Sequence, residues 1–142
     1  MGLRVEKKMD RVVWDEGLSV GIQMADRDHQ RIMDLINQVL DGMAGIKPEA
    51  DLSGFLDDLI GFAREHFRRE EELMRVRDYP ELQSHREVHR FLEKKLSGYK
   101  TAFLAGEAEV GLAAELMKDW IVLHIQGVDK RYTRYLNSRG VV

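Results

Sequence analysis

Apolar residues recur every three to four positions along most of this chain, the spacing of helices that bury one face. Four such stretches follow one another. The first runs from about Ala25 to Met43 and brings His29, Ile32, Met33, Ile36, Val39, Leu40 and Met43 into phase. The second runs from about Glu49 to Arg75 and aligns Phe55, Leu59, Phe62, Ala63, His66, Glu70, Leu73 and Met74. The third, from Pro80 to about Leu104, aligns Leu82, His85, His89, Leu92, Leu96, Tyr99 and Phe103. The fourth, from about Glu107 to Leu136, turns Ala113, Leu116, Met117, Trp120, Leu123, His124, Val128 and Tyr132 inward.

Local punctuation agrees with these limits. The two prolines, Pro48 and Pro80, sit where a helix can begin. Asp26 suits an N-cap or a first turn, Gly42 or Gly45 suits the end of the first helix, and Gly106 closes the third. Residues 1–21 lack the helical period and read as an irregular arm, anchored by Trp14, Leu18 and Val20 with Ile22 just beyond. Helices of this length span roughly 30–38 Å, and short connections make sequence neighbours antiparallel. The expected fold is all-α: an antiparallel up-down-up-down four-helix bundle over residues 22–136 with an N-terminal arm, in a single domain over 1–142. The charged run of Arg64, Glu65, Arg68, Arg69, Glu71 and Glu72 reads as a solvated helix face.

Composition narrows the chemistry. A hydrophobic fraction of 44% and a charged fraction of 33% over 142 residues suit one folded domain. A formal net charge of -3 offers no basic footprint, so neither nucleic acid nor an anionic membrane is an expected partner. The chain has no cysteine, which excludes disulfides, thiolate zinc sites, iron–sulfur clusters and cysteine nucleophiles. Any metal must be held by nitrogen and oxygen. Met1 to Arg11 is charged and lacks the apolar core of a signal peptide, and no run of about 18 apolar residues exists. The expected location is the cytoplasm.

The inward faces carry polar residues that composition does not explain. Positions four apart lie about 40° from each other round a helix, so His66 and Glu70 share a face, as do His85 and His89. In both cases it is the apolar face. Burying imidazole and carboxylate costs several kcal/mol unless they are hydrogen-bonded or coordinated. His29, His66, Glu70, His85, His89 and His124, all turned inward, imply a common partner on the bundle axis. His124 and Asp129 are five apart, about 140° on a regular helix. They converge only if the turn between them widens or if the two groups reach from flanking directions; the spacing predicts a π-type bulge, which Gly127 between them would ease.

The order His29, then His66-x-x-x-Glu70, then His85-x-x-x-His89, then His124-x-x-x-x-Asp129 resembles the ligand signature of the hemerythrin family. Trp14 to Asn37 is similar to the arm and first helix of its bacterial members. So are His66-Phe67 with Glu71-Glu72-Leu73-Met74, Tyr79-Pro80 before His85, and Trp120, His124-Ile125, Asp129 and Tyr132. The resemblance covers about residues 12–136. Asp28 departs from it, standing where the family more often has glutamine.

The resemblance implies a non-haem di-iron centre. His85, His89 and His124 would bind one iron, His29 and His66 the other. Glu70 and Asp129 would bridge the pair alongside an oxo or hydroxo group. The iron with two histidines would keep one open position for O2, lined by Met33, Phe62, Trp120 and Leu123. Zinc suits imidazole and carboxylate as well, but seven ligands exceed the need of one tetrahedral ion. Ferritin-like sites use Glu-x-x-His motifs, absent here. The implied role is non-enzymatic, reversible O2 binding for storage, transport or delivery by a monomer, with an O2-consuming enzyme as candidate recipient. The alternative is an oxygen, redox or nitric-oxide sensing domain acting through a separate partner. A third reading is an enzyme working at the open position.

Overall fold

The structure, a computed structural model, describes residues 11–43, 52–107, 111–124 and 130–142, without the side chains of 43, 111–114, 122–123 and 130. The apolar stripes fold as helices: α1 (Gln23–Met43), α2 (Leu52–Val76), α3 (Leu82–Leu104), α4 (Gly111–His124) and α5 (Lys130–Ser138). The fourth expected helix is thus described as two pieces, α4 and α5. Gly127 and the bulge expected there lie between them, outside the described residues, as do Gly45 and Pro48.

α1 packs on α2, α2 on α3, α3 on α4 and α4 on α1. That closed ring is the neighbour order of an up-down-up-down bundle. Ile32, Met33, Ile36, Val39 and Leu40 of α1 are buried, as are Leu59, Ala63 and Met74 of α2, Leu92 and Leu96 of α3, and Met117 and Trp120 of α4. Phe55, Phe62, Leu73, Tyr99 and Phe103 pack partly buried against this core. The stripe on α2 is wider than the expected face, because Leu52, Leu56, Ile60 and Phe67 are buried too. No described helix is long and apolar enough to cross a membrane.

The connection between α2 and α3 sets the register of the site. Tyr79 N–H bonds back to Met74 C=O at 2.9 Å and Asp78 N–H to Arg75 C=O at 3.2 Å. This is a Schellman motif, with Asp78 at φ 54° in the left-handed position and Pro80 forbidding further helix. Tyr135 of α5 donates to the carbonyls of Arg77 and Asp78 at 2.8 and 3.0 Å, pinning α5 to that turn. Gly106 closes α3 in the same way at φ 75°, as its place in the sequence suggests.

Of the two glycines expected to end α1, Gly42 does not stop it. It lies inside the helix, where a Cβ would come within 2.5 Å of Leu52 Cδ2, so its smallness permits close approach of α1 and α2.

The arm is tied down by polar groups. Asp26, in the first turn of α1, accepts from Val20 N–H at 2.9 Å and from the Ser19 hydroxyl at 2.6 Å. Asn37 both accepts from Val12 N–H and donates to Val12 C=O, each at 2.9 Å. Leu18, Val20 and Ile22 are buried and Trp14 packs partly buried, as anchors should. Asn37→Ala is expected to lower stability by about 2 kcal/mol, because it leaves a buried peptide N–H and C=O without partners. A urea midpoint equal to that of the wild type would show that the arm is not docked through this residue.

Candidate metal centre

Each bundle helix contributes to one buried cluster. α1 supplies His29, α2 supplies His66 and Glu70, α3 supplies His85 and His89, and the end of α4 supplies His124. None of the six is more than 5% exposed. Asp129, the remaining expected ligand, lies outside the described residues.

Two groups of ligand atoms form, each with members within 4.8 Å of one another: Glu70 with His85, His89 and His124, and Glu70 with His29 and His66. Glu70 belongs to both. Its Oε1 lies 3.0 Å from His85 Nε2 and 3.1 Å from His89 Nε2. Its Oε2 lies 3.1 Å from His66 Nε2 and accepts the Tyr132 hydroxyl at 2.8 Å. One carboxylate oxygen therefore faces each group. Burial works against ionising Glu70, but the facing His66 imidazole and the contacts from His66, His85 and His89 outweigh it. They hold its carboxyl well below the usual range.

The donor set fits a metal. His89 Nδ1 lies 2.6 Å from Glu71 Oε2, and an ionised carboxylate can only accept, so Nδ1 carries the proton. In the neutral ring the lone pair then sits on Nε2, which is buried without a hydrogen bond among the described residues and faces Glu70 Oε1 at 3.1 Å. Two lone pairs cannot face each other in a dry core at low cost. A shared proton relieves the conflict in the metal-free core, and a metal ion held by the same atoms removes it. Imidazole and carboxylate without thiolate suit iron, zinc or manganese.

The surroundings include residues that sequence reasoning missed. Arg69 and Glu71, expected on a solvated face, instead reach across helices. Asp28 Oδ2 accepts both His66 Nδ1–H and Arg69 Nε–H at 2.9 Å. Glu71 also pairs with Arg86 at 3.4 Å. Arg64, on the same run, crosses to Ser97 and Glu93 of α3. Glu71 follows the ligand Glu70 and Asp28 precedes the ligand His29. Adjacency to a ligand was the only signal available. Phe67 stacks on His89 with ring centroids 4.1 Å apart, and Trp120 packs edge-on to Phe67 at 5.2 Å and against His124 at 5.2 Å. Of the expected pocket residues, Met33 and Trp120 are buried and Phe62 lies partly buried under Arg69, while the Leu123 side chain is outside the described set.

A helical bundle whose core gathers five histidines round one shared glutamate defines an all-α protein with a histidine/carboxylate metal site. Comparison with known proteins agrees with that class. Residues 20–136 match the hemerythrin HHE cation binding domain. The chain is 32% identical over 124 residues to the bacteriohemerythrin of Pseudomonas aeruginosa, covering 87% of this chain and 80% of that protein. It is 34% identical over 123 residues to the bacteriohemerythrin of Methylococcus capsulatus, covering 86% and 92%. A crystal structure of wild-type hemerythrin superposes with a TM-score of 0.80 at 30% identity, over 88% of this chain and 97% of that one. The chain belongs to the hemerythrin family.

Proposed function

We propose that this chain binds O2 reversibly at a non-haem di-iron centre and serves to store, carry or deliver it. The observation that carries this reading is the membership of Glu70 in two ligand groups of unequal size, three histidines on one side and two on the other. His85, His89 and His124 would hold one iron and His29 and His66 the other, with Glu70 across the pair. Asp129 would be the second carboxylate ligand in this reading. An iron pair held by these residues would supply the two electrons that reversible O2 binding needs.

The chain's own residues set the conditions for reversal. The side with two histidines has one protein ligand fewer, which leaves room for a small ligand there. Tyr132 donates to Glu70 Oε2 and so fixes the carboxylate plane. Phe67 and Trp120 are buried against the imidazoles of the cluster and keep bulk water from them, and Met33 is buried four residues on from His29 in α1. A histidine-rich shell carries less negative charge than a carboxylate-rich one and stabilises oxidised iron less, which supports binding over cleavage of O2 and a role that is not enzymatic. The second reading is a sensing domain acting through a separate partner. It uses the same site and differs in what the oxidised state does next.

One experiment separates them. The protein is reduced without air, exposed to air, and then purged while the visible spectrum is recorded. A coloured form that fades on purging is the expected result. Prompt and irreversible oxidation with release of peroxide would reject reversible carriage.

A further inference from the structure

Two histidines of the cluster, one in each group, are held from behind in the same way. His66 Nδ1–H donates to Asp28 Oδ2 at 2.9 Å, and Arg69 Nε–H donates to that same oxygen at 2.9 Å. His89 Nδ1–H donates to Glu71 Oε2 at 2.6 Å, and Arg86 lies 3.4 Å from Glu71 Oε1. Each carboxylate comes from the helix before its histidine: Asp28 of α1 reaches His66 of α2, and Glu71 of α2 reaches His89 of α3. Each arginine comes from the histidine's own helix, three residues away. Both carboxylate side chains are mostly buried, at 11% and 20% exposure, so their bonds are little weakened by water.

We propose that Asp28 and Glu71 are positioning residues that keep a proton on Nδ1 of His66 and of His89 and so turn Nε2 of each ring to the metal position. One such arginine–carboxylate–histidine relay serves each half of the centre. Free imidazole exchanges between tautomers, and only the one with an Nε2 lone pair binds a metal from this side. A fixed tautomer removes that choice. The partnering carboxylate also makes Nε2 a stronger donor, and the arginine limits the negative charge added near the site. The two relays are not equal. Asp28 shares one oxygen between His66 and Arg69, whereas Glu71 gives His89 an oxygen of its own at shorter range. His66 is therefore the weaker donor of the two, on the side proposed to accept O2. Burial disfavours the charged form of both carboxyls, but the hydrogen bonds from their histidines and arginines outweigh it and hold both below the usual range.

This inference rests on the di-iron reading, and its test keeps the two apart. Nitrogen-15 NMR of the metal-free wild type at neutral pH reads the tautomer of each histidine directly. A protonated Nδ1 at His66 and His89 is expected, and a bare Nδ1 at either overturns the relay whatever the metal. Fe2+ binding without air, in competition with a chromophoric chelator, then reads the two uptake steps. Asp28→Ala is expected to weaken one step by about 10- to 100-fold and Glu71→Ala the other. Asp28→Asn keeps an acceptor oxygen and the side-chain volume, so it should retain the His66 tautomer and most of the lost affinity, also if the alanine variant folds poorly. A wild type that takes up fewer than two ions would sink the di-iron reading. A wild type that takes up two, with both alanine variants indistinguishable from it, would sink the relay alone.

Discussion

Glu70→Gln is expected to reduce the iron content from a pair of ions to one at most, while leaving the bundle folded. Glutamine matches glutamate in volume, so the core around position 70 does not open. It lacks the charge, and only one of its two terminal atoms can face a metal with a lone pair. Glu70 is fully buried and supplies one oxygen to each ligand group, so a single substitution weakens both. Stability gives a second readout. Metal held a thousandfold above its dissociation constant stabilises the folded state by about 4 kcal/mol. In a domain of this size that raises Tm on the order of 10 °C. The wild type should show this shift on reconstitution with Fe2+ and the variant should not. The linkage has a defined sign in the metal-free wild type. A carboxyl held below its usual range contributes stability above that range and loses it as pH falls through the lowered value. Two irons by elemental analysis of the variant would refute the shared-carboxylate geometry.

His66→Ala is the complementary case, because it strikes one group only. The two-histidine group would keep His29 and Glu70, too few to hold an ion against water. The three-histidine group does not include His66. Iron content is therefore expected to fall by about half and the air-dependent colour to vanish, with affinity for the lost ion reduced beyond the roughly 100-fold upper range for an outer partner. Deleting a fully buried ring also leaves a cavity and costs about 2–4 kcal/mol of stability. Thermal unfolding should be measured alongside, so that loss of iron is read only from folded protein. Full reversible O2 uptake by this variant would mean that His66 is not the ligand at the open side.

Much of this arrangement is legible in the sequence because α-helical geometry is local. Spacings of three and four place residues on one face regardless of what lies beyond it, so His66 with Glu70, and His85 with His89, can be paired by counting. The same counting finds α1, α2 and α3 within a few residues of their observed ends. It leaves Gly42 and Gly45 as alternative stops for α1, because a helix-stopping glycine and a close-packing glycine look alike until Leu52 is placed against Gly42. It misreads Arg69 and Glu71 as solvated. Both lie at the border of the apolar stripe, where the next helix decides whether a charge meets water or a histidine.

Periodicity and ligand spacing thus determined the helices, the identity of six buried ligand candidates and the family resemblance, since each depends on chain-local geometry and residue chemistry. Tertiary packing alone decided that Glu70 stands between two ligand groups, that Tyr132 braces it, and that Asp28 and Glu71 back His66 and His89. Those contacts join residues 15 to 62 positions apart on different helices. Helix rotation and axial offset set such distances, and no repeat along one strand of sequence encodes them.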